Sequence, residues 1–318
     1  MSTITSTRVP GIRARLLSAE GFLVVAFVVL VVFFSLVSPV FLTLGNIENI
    51  GRQTALVSII AVGMAFVIIS GEFDLSVGST LALAGVVAAI AMRVIAPSWI
   101  VGGIAGLLTG ALVGFVNGYL TTRLRIPSFL ITLGSLSIAR GIVMVITGTR
   151  PVVITNRDYF AVFGEGHLFG VPAPIVWTIV VALAGIAVLH FTAFGRKVYA
   201  TGGNAVAARY SGIGVDRVKV LSLVAAGLLA GLAGLVLSAR AHAARPDVGA
   251  GLELDVITAV ILGGAALSGG KGSILGALLG SLIIGILNNG LVLIGVDPSL
   301  QIVIKGLIIW ISVSASRL

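Results

Sequence analysis

The stretch GFLVVAFVVLVVFFSLVSPVFLTLGNI (21–47) runs for 27 residues without a charge. A helix on the surface of a soluble domain shows a polar face, whereas a bilayer is spanned by about 20 apolar residues. The run is too long for the apolar region of a secretory leader, and it lacks a small-residue cleavage site. It is therefore expected to be a retained first membrane span. The residues before it are polar and include Arg8, Arg13 and Arg15, which reads as a short cytoplasmic tail over 1–20.

Working outward, the same texture continues to the end of the chain. Of 318 residues, 58% are hydrophobic and 10% are charged, against about 25% charged in a soluble domain. The mean hydropathy is +1.19. So few charges cannot cover so much apolar surface in water, but lipid can. Apolar runs separated by polar breaks place spans near 22–43, 53–70, 77–96, 98–121, 128–147, 173–193, 220–240, 255–269, 273–294 and 300–316. The expectation is an all-α polytopic bundle of ten transmembrane helices, forming one domain over 21–318. An even number of spans puts both termini on one side.

Charge orients the bundle. The net charge is +9. With the N-terminus inside, twelve basic residues fall in cytoplasmic segments, among them Arg123, Arg196, Lys197 and Lys271, and six fall outside. That ratio favours N-in and C-in. The same bias accounts for the basic excess without nucleic acid. The absence of cysteine excludes disulfides and thiol chemistry. Two connections are long. Residues 148–172 are expected outside, and residues 195–219 are expected inside.

Glycine is enriched, with 42 residues, about 13% against a usual 7%. Gly102, Gly106, Gly110, Gly114 and Gly118 recur every fourth residue, so they line one groove in which another helix can lie. Gly272, Gly276 and Gly280 repeat the pattern later. VGFVNGYLTTRLRIPSFL (113–130) and IGILNNGLVLIGVDPSLQ (284–301) each carry Asn-Gly and then Pro-Ser. The likeness is either an internal duplication, which in transporters sets a pathway between the halves, or chance between low-complexity segments.

Several polar groups sit where they are costly. ISGEFDLSVGS (69–79) sets Glu72 and Asp74 between two apolar runs. One reading is a solvated turn with Asp74 or Ser76 capping the next helix; the other is a gate or a partner contact. Arg140 lies within a span and is expected to face a polar interior or an acid, while Lys305 is free to snorkel to an interface. Asn117, Asn288 and Asn289 suit interhelical hydrogen bonds, or contacts to hydroxyl groups along a path. His167, His190 and His242 read as incidental. No metal spacing and no nucleophile–base pair is evident, so neither a catalytic site nor a directly bound cofactor is expected. GGKGS (269–273) lacks the spacing of a phosphate-binding loop, so ATP hydrolysis by this chain is not expected.

Four segments in order, GEFDLSVGS (71–79), IPSFLITLGSLSIARGI (126–142), FGRKVYATGGNAVAARYSGI (194–213) and LDVITAVILGGAALSGGKGS (254–273), resemble the ribose-permease-type membrane subunits of bacterial ATP-binding-cassette sugar importers, within the branched-chain amino acid/sugar permease superfamily. The resemblance spans about residues 40–315. Glu72 and Phe73 depart from it, since Gly and Ile are usual before the DLS triplet. The resemblance implies a permease of the bacterial inner membrane that works with a second permease subunit, an ATPase subunit holding the ATP, and a periplasmic sugar-binding protein. It also implies a coupling helix in the inner loop. Asn204 would cap it, Ala205, Ala207 and Ala208 would allow close docking, Arg209 and Tyr210 would anchor it, and Gly212 would end it.

Overall fold

The computed structural model describes residues 19–315. The expected tail, with Arg8, Arg13 and Arg15, lies outside the described residues but for its last two positions, as does Arg317. In chain order the helices are α1 (Ala19–Val37), α2 (Leu44–Ile69), α3 (Val77–Val94), α4 (Trp99–Leu124), α5 (Ser128–Thr147), the single turn α6 (Arg157–Tyr159), α7 (Ala173–Phe191), α8 (Ala193–Gly203), α9 (Ala205–Tyr210), α10 (Val215–Arg240), α11 (Leu252–Leu262), α12 (Ile274–Leu293) and α13 (Pro298–Ala315). Four two-residue strands, β1 (Val152–Val153), β2 (His167–Leu168), β3 (Val171–Pro172) and β4 (Ala243–Ala244), tie the loops. β1 pairs with β4 and β2 with β3, both antiparallel, so the long connection 148–172 is pinned to the segment that follows α10.

Seven helices among the described residues, α2, α3, α4, α5, α7, α10 and α12, are long and apolar enough to cross a membrane. Shorter apolar stretches, Leu23–Val37 and Ser299–Ile308, lie within α1 and α13. Three expectations need correction. The first span ends at Val37, ahead of Ser38-Pro39, because Pro cannot continue the helix. The span expected at 255–269 is a half-helix. α11 has 11 residues, about 16 Å at 1.5 Å per residue, against a hydrocarbon core of about 30 Å. The Gly263-Gly264 pair stops it, with Gly264 at φ +88 and the Ala265 amide turned back to the Val260 carbonyl at 3.2 Å. Hydropathy misses this stop because Gly and Ala are themselves apolar. Gly272 likewise sits before α12, at φ +147, and not on its face.

α2 and α10 form the core and pack on each other, while α4, α5 and α7 turn broad apolar faces outward, as lipid permits. α4 lies along α10 on its glycine groove. Gly106, Gly114 and Gly118 meet Leu235, Leu223 and Val220, and Gly110 meets Gly227 backbone to backbone. Gly102 faces Met92 of α3 instead. On the far side Gly276 and Gly280 seat α12 against Gly263 and Ala259 at the end of α11.

Packing is also reciprocal between two four-helix sets. α4 packs on α10 and α12 on α2; α3 packs on α10 and α11 on α2. Each set has one break ahead of its shorter helix, at 70–76 before α3 and at 241–251 before α11, and Gly78, in the first turn of α3, touches Gly249 of the second break. The likeness of 113–130 to 284–301 falls on the α4–α5 and α12–α13 corners, the equivalent places in the two sets.

Gly110→Val is expected to lower stability by about 1–3 kcal/mol through overpacking. Gly141→Ala on α5, where an added Cβ meets nothing within 4 Å, is expected to be neutral or slightly stabilising. Thermal unfolding of the two variants in detergent checks the contrast.

Candidate functional site

The backbone of residues 70–76 leaves the helix inside the protein, so its amides need partners. α5 supplies two. The Phe73 amide donates to Ser128 Oγ at 2.8 Å, and the Leu75 amide donates to Thr132 Oγ1 at 3.1 Å. Asp74 Oδ1 accepts from the Ser76 amide at 2.8 Å and from the Ser76 hydroxyl at 2.6 Å. This is an Asx-type turn. Asn117 of α4 then donates to Ser76 Oγ at 2.9 Å and accepts from Ser135 Oγ at 2.5 Å. Asp74 and Asn117 are 1% and 0% exposed, so the solvated-turn reading does not hold. Ser76 precedes α3 but makes no side-chain bond to its amides. Glu72 is also buried and is ion-paired with Lys219 at the start of α10. The spacing gave no hint of that partner, which is 147 residues away.

Arg140 binds backbone and not an acid. Its Nη1 donates to the carbonyls of Pro246 and Val248, at 2.6 and 2.7 Å, and so holds the second break from α5. A bidentate bond from Arg245 holds the Asp247 carboxyl below its ordinary value. Asn289 and Asn46 exchange amide bonds of 3.0 and 2.9 Å between α12 and α2, while Asn288 Oδ1 is buried without a partner. Asn117 and Asn289 thus serve as interhelical bonds. Lys305 does not snorkel to an interface: its Nζ lies 3.0 Å from Asp255 in the first turn of α11. His242 is not isolated either, since it bonds Glu165 at 2.6 Å and stacks on Phe160.

At the end of the bundle that carries residues 195–219, Asn204 caps α9, accepting from the amides of Val206 and Ala207 at 3.0 and 2.9 Å. α9 stops at Tyr210, and Gly212 at φ +80 lets the Ile213 amide return to the Ala208 carbonyl at 3.0 Å. The outward face differs from the expected one. Ala208 is buried against the body of the protein, whereas Ala207, Val206 and Tyr210 are exposed, Tyr210 at 90%. Arg209 bonds Asp216 at 2.5 Å. Val206 was missed because an apolar residue in a short loop carries no charge signal. Behind α9, α8 clasps the end of α2 and the turn after α11: Tyr199 donates to the Gly272 carbonyl at 2.8 Å, and Gly202 abuts the Ile69 carbonyl.

Apolar spanning helices, a buried break at 70–76, and one capped helix exposed at an end define a polytopic membrane protein. Residues 46–313 match the family of the permease component of the branched-chain amino acid transport system, and the chain belongs to that family. It is 44% identical to the ribose import permease protein RbsC of Escherichia coli (strain K12) over 292 residues, 91% of each chain. The ribose import permease protein RbsC of Bacillus subtilis (strain 168) is also 44% identical, over 91% of this chain and 90% of that one. The L-arabinose transport system permease protein AraH of Escherichia coli (strain K12) is 38% identical over 95% of this chain and 92% of that one. No solved structure matches the chain.

Replacing Ser128 by Ala together with Thr132 by Val removes two acceptors from buried amides. Each stranded amide is expected to cost about 1–3 kcal/mol, read as a lower thermal midpoint and faster amide exchange across 73–75.

Proposed function

We propose that this chain is the permease subunit of an ATP-binding-cassette importer that carries a monosaccharide, a ribose-like pentose or a hexose, into the bacterial cytoplasm. One observation carries the reading: 44% identity to ribose import permeases along 91% of the chain. In this reading both termini are cytoplasmic, and this subunit has ten membrane-crossing segments only if the half-helix α11 is counted with its break. Two permease subunits, alike or related, enclose the path within the lipid. A separate ATPase subunit binds and hydrolyses ATP and docks on α9. A periplasmic sugar-binding protein delivers the solute and sets most of the selectivity. The path itself needs only weak contacts, since tight binding would slow release.

The buried break at 70–76 suits this role. Non-helical backbone at membrane depth is tolerated where protein surrounds it, and a break lets the pieces on either side move separately. The contact of Gly78 with Gly249 places the start of α3, just after this break, against the segment 241–251.

Proteoliposomes holding the chain with its ATPase and binding protein are expected to accumulate labelled ribose or arabinose only with ATP inside the coupled system. Uptake of a nucleoside or a branched-chain amino acid, with none of any sugar, would replace the substrate. Uptake without an ATPase would replace the class with a secondary carrier. The exposed face of α9 is checked separately. Val206→Glu and Tyr210→Ala are expected to reduce co-purification of the ATPase by about tenfold, as loss of an interface anchor does. Ala208→Glu is expected to destabilise the subunit itself, because that side chain faces inward.

A further inference from the structure

Five charged side chains, Glu72, Arg125, Arg209, Asp216 and Lys219, line a cavity of about 270 Å³ beside α9. Four of them form two ion pairs in series. Arg209, in the last turn of α9, bonds Asp216 in the first turn of α10 at 2.5 Å. Lys219 lies three residues further along α10, on the same face as Asp216. It pairs with Glu72 in the buried break. Side-chain exposure falls along the series, from 56% and 52% at Arg209 and Asp216 to 22% and 8% at Lys219 and Glu72. The series therefore runs from the solvent-facing helix into the interior.

The other ties of the break go elsewhere. Phe73 and Leu75 are bonded to Ser128 and Thr132 of α5, and Ser76 is bonded to Asn117 of α4. Glu72 alone joins this set by a charged bond to α10. A displacement of the first turn of α10 relative to α4 and α5 must stretch this bond or drag the break with it. Because the pair is buried, it resists separation more than the exposed pair does. α9 is itself tied to α10 through the bond of Arg209 to Asp216.

We infer that the Lys219–Glu72 pair is a latch that carries movement of α9 into the buried segment 70–76, making Lys219 and Glu72 positioning residues of the transport step. The inference rests on the reading of this chain as the membrane subunit of an ATP-driven importer. The latch links the helix proposed to meet the ATPase to the break that leads into α3, whose Gly78 meets Gly249. Through it, a docking event at the surface reaches the polar interior without any change in the packed glycine contact of α4 and α10.

The test uses the whole transporter in proteoliposomes and reads sugar moved per ATP hydrolysed. The variants are Glu72→Gln, Lys219→Met, the neutral pair E72Q/K219M and the reversed pair E72K/K219E. The neutral pair strands no charge, so it separates a transmitting role from one of merely offsetting buried charge. The single variants and the neutral pair are expected to lower sugar per ATP by about tenfold, a typical size for coupling between sites, with the subunit still inserted and the ATPase still bound. The reversed pair is expected to recover most of the ratio. A neutral pair that transports at the unaltered ratio overturns the latch, and so does a reversed pair no better than the neutral one. Failure of the functional reading looks different: the unaltered chain then shows no ATP-dependent sugar uptake at all.

Discussion

Two hydroxyls on α5 make the interior of this protein possible. Backbone that leaves a helix within the membrane exposes amides that lipid cannot satisfy, and each unmet group costs several kcal/mol. Ser128 and Thr132 accept from the Phe73 and Leu75 amides, and Asp74 Oδ1 accepts from the Ser76 amide, so these three amides of the break at 70–76 are satisfied, while Asp74 Oδ2 stays buried without a partner. Arg140 does the same work at the second break from the opposite direction, by donating to two carbonyls. With these groups bonded, α3 can start inside the bundle, its first residues Val77 and Gly78 buried. Gly78 in its first turn then meets Gly249 of the segment that leads into α11.

The rest of the architecture holds these breaks in place by two kinds of contact. Helices α4 and α10 approach until their backbones touch at Gly110 and Gly227, a contact built from dispersion and shape. Bonds between polar side chains then set register at single points, as Asn46 with Asn289 and Lys305 with Asp255 do. The first kind is spread along a helix and is stiff. The second is local and can exchange partners. A transporter needs both, because rigid pieces must move about a few joints. Two charged joints, Arg209 with Asp216 and Lys219 with Glu72, lie at the end that carries α9.

Much of this was legible in the sequence because hydropathy, glycine spacing and helix caps are local signals. The run at 21–47 announces a membrane protein by itself. The four-residue glycine period from Gly102 to Gly118 announces a helix contact, and Asn204 with Gly212 brackets α9. Where sequence reading failed, the signal was not local. The half-helix α11 was taken as a span because Gly263 and Gly264 are both apolar and able to turn. The inward position of Ala208 depends on how α9 lies on α10, and its neighbours in sequence say nothing of that. The relatives at 44% identity make the transport class plain, yet identity along a chain names no contact.

By itself, then, the sequence determined a helical membrane protein, its approximate spans, its charge asymmetry and its close helix contacts, since each follows from residues within a turn or two of one another. Tertiary structure alone decided which polar groups meet. Glu72 finds Lys219, Asp74 reaches Asn117 through Ser76, and Arg140 reaches Val248. These partners are brought together by helices folding past one another, and a buried polar group accepts whichever partner the packing delivers. The run of apolar residues that identifies the protein could place it in a membrane, but only the packed bundle could show where that membrane protein is polar inside.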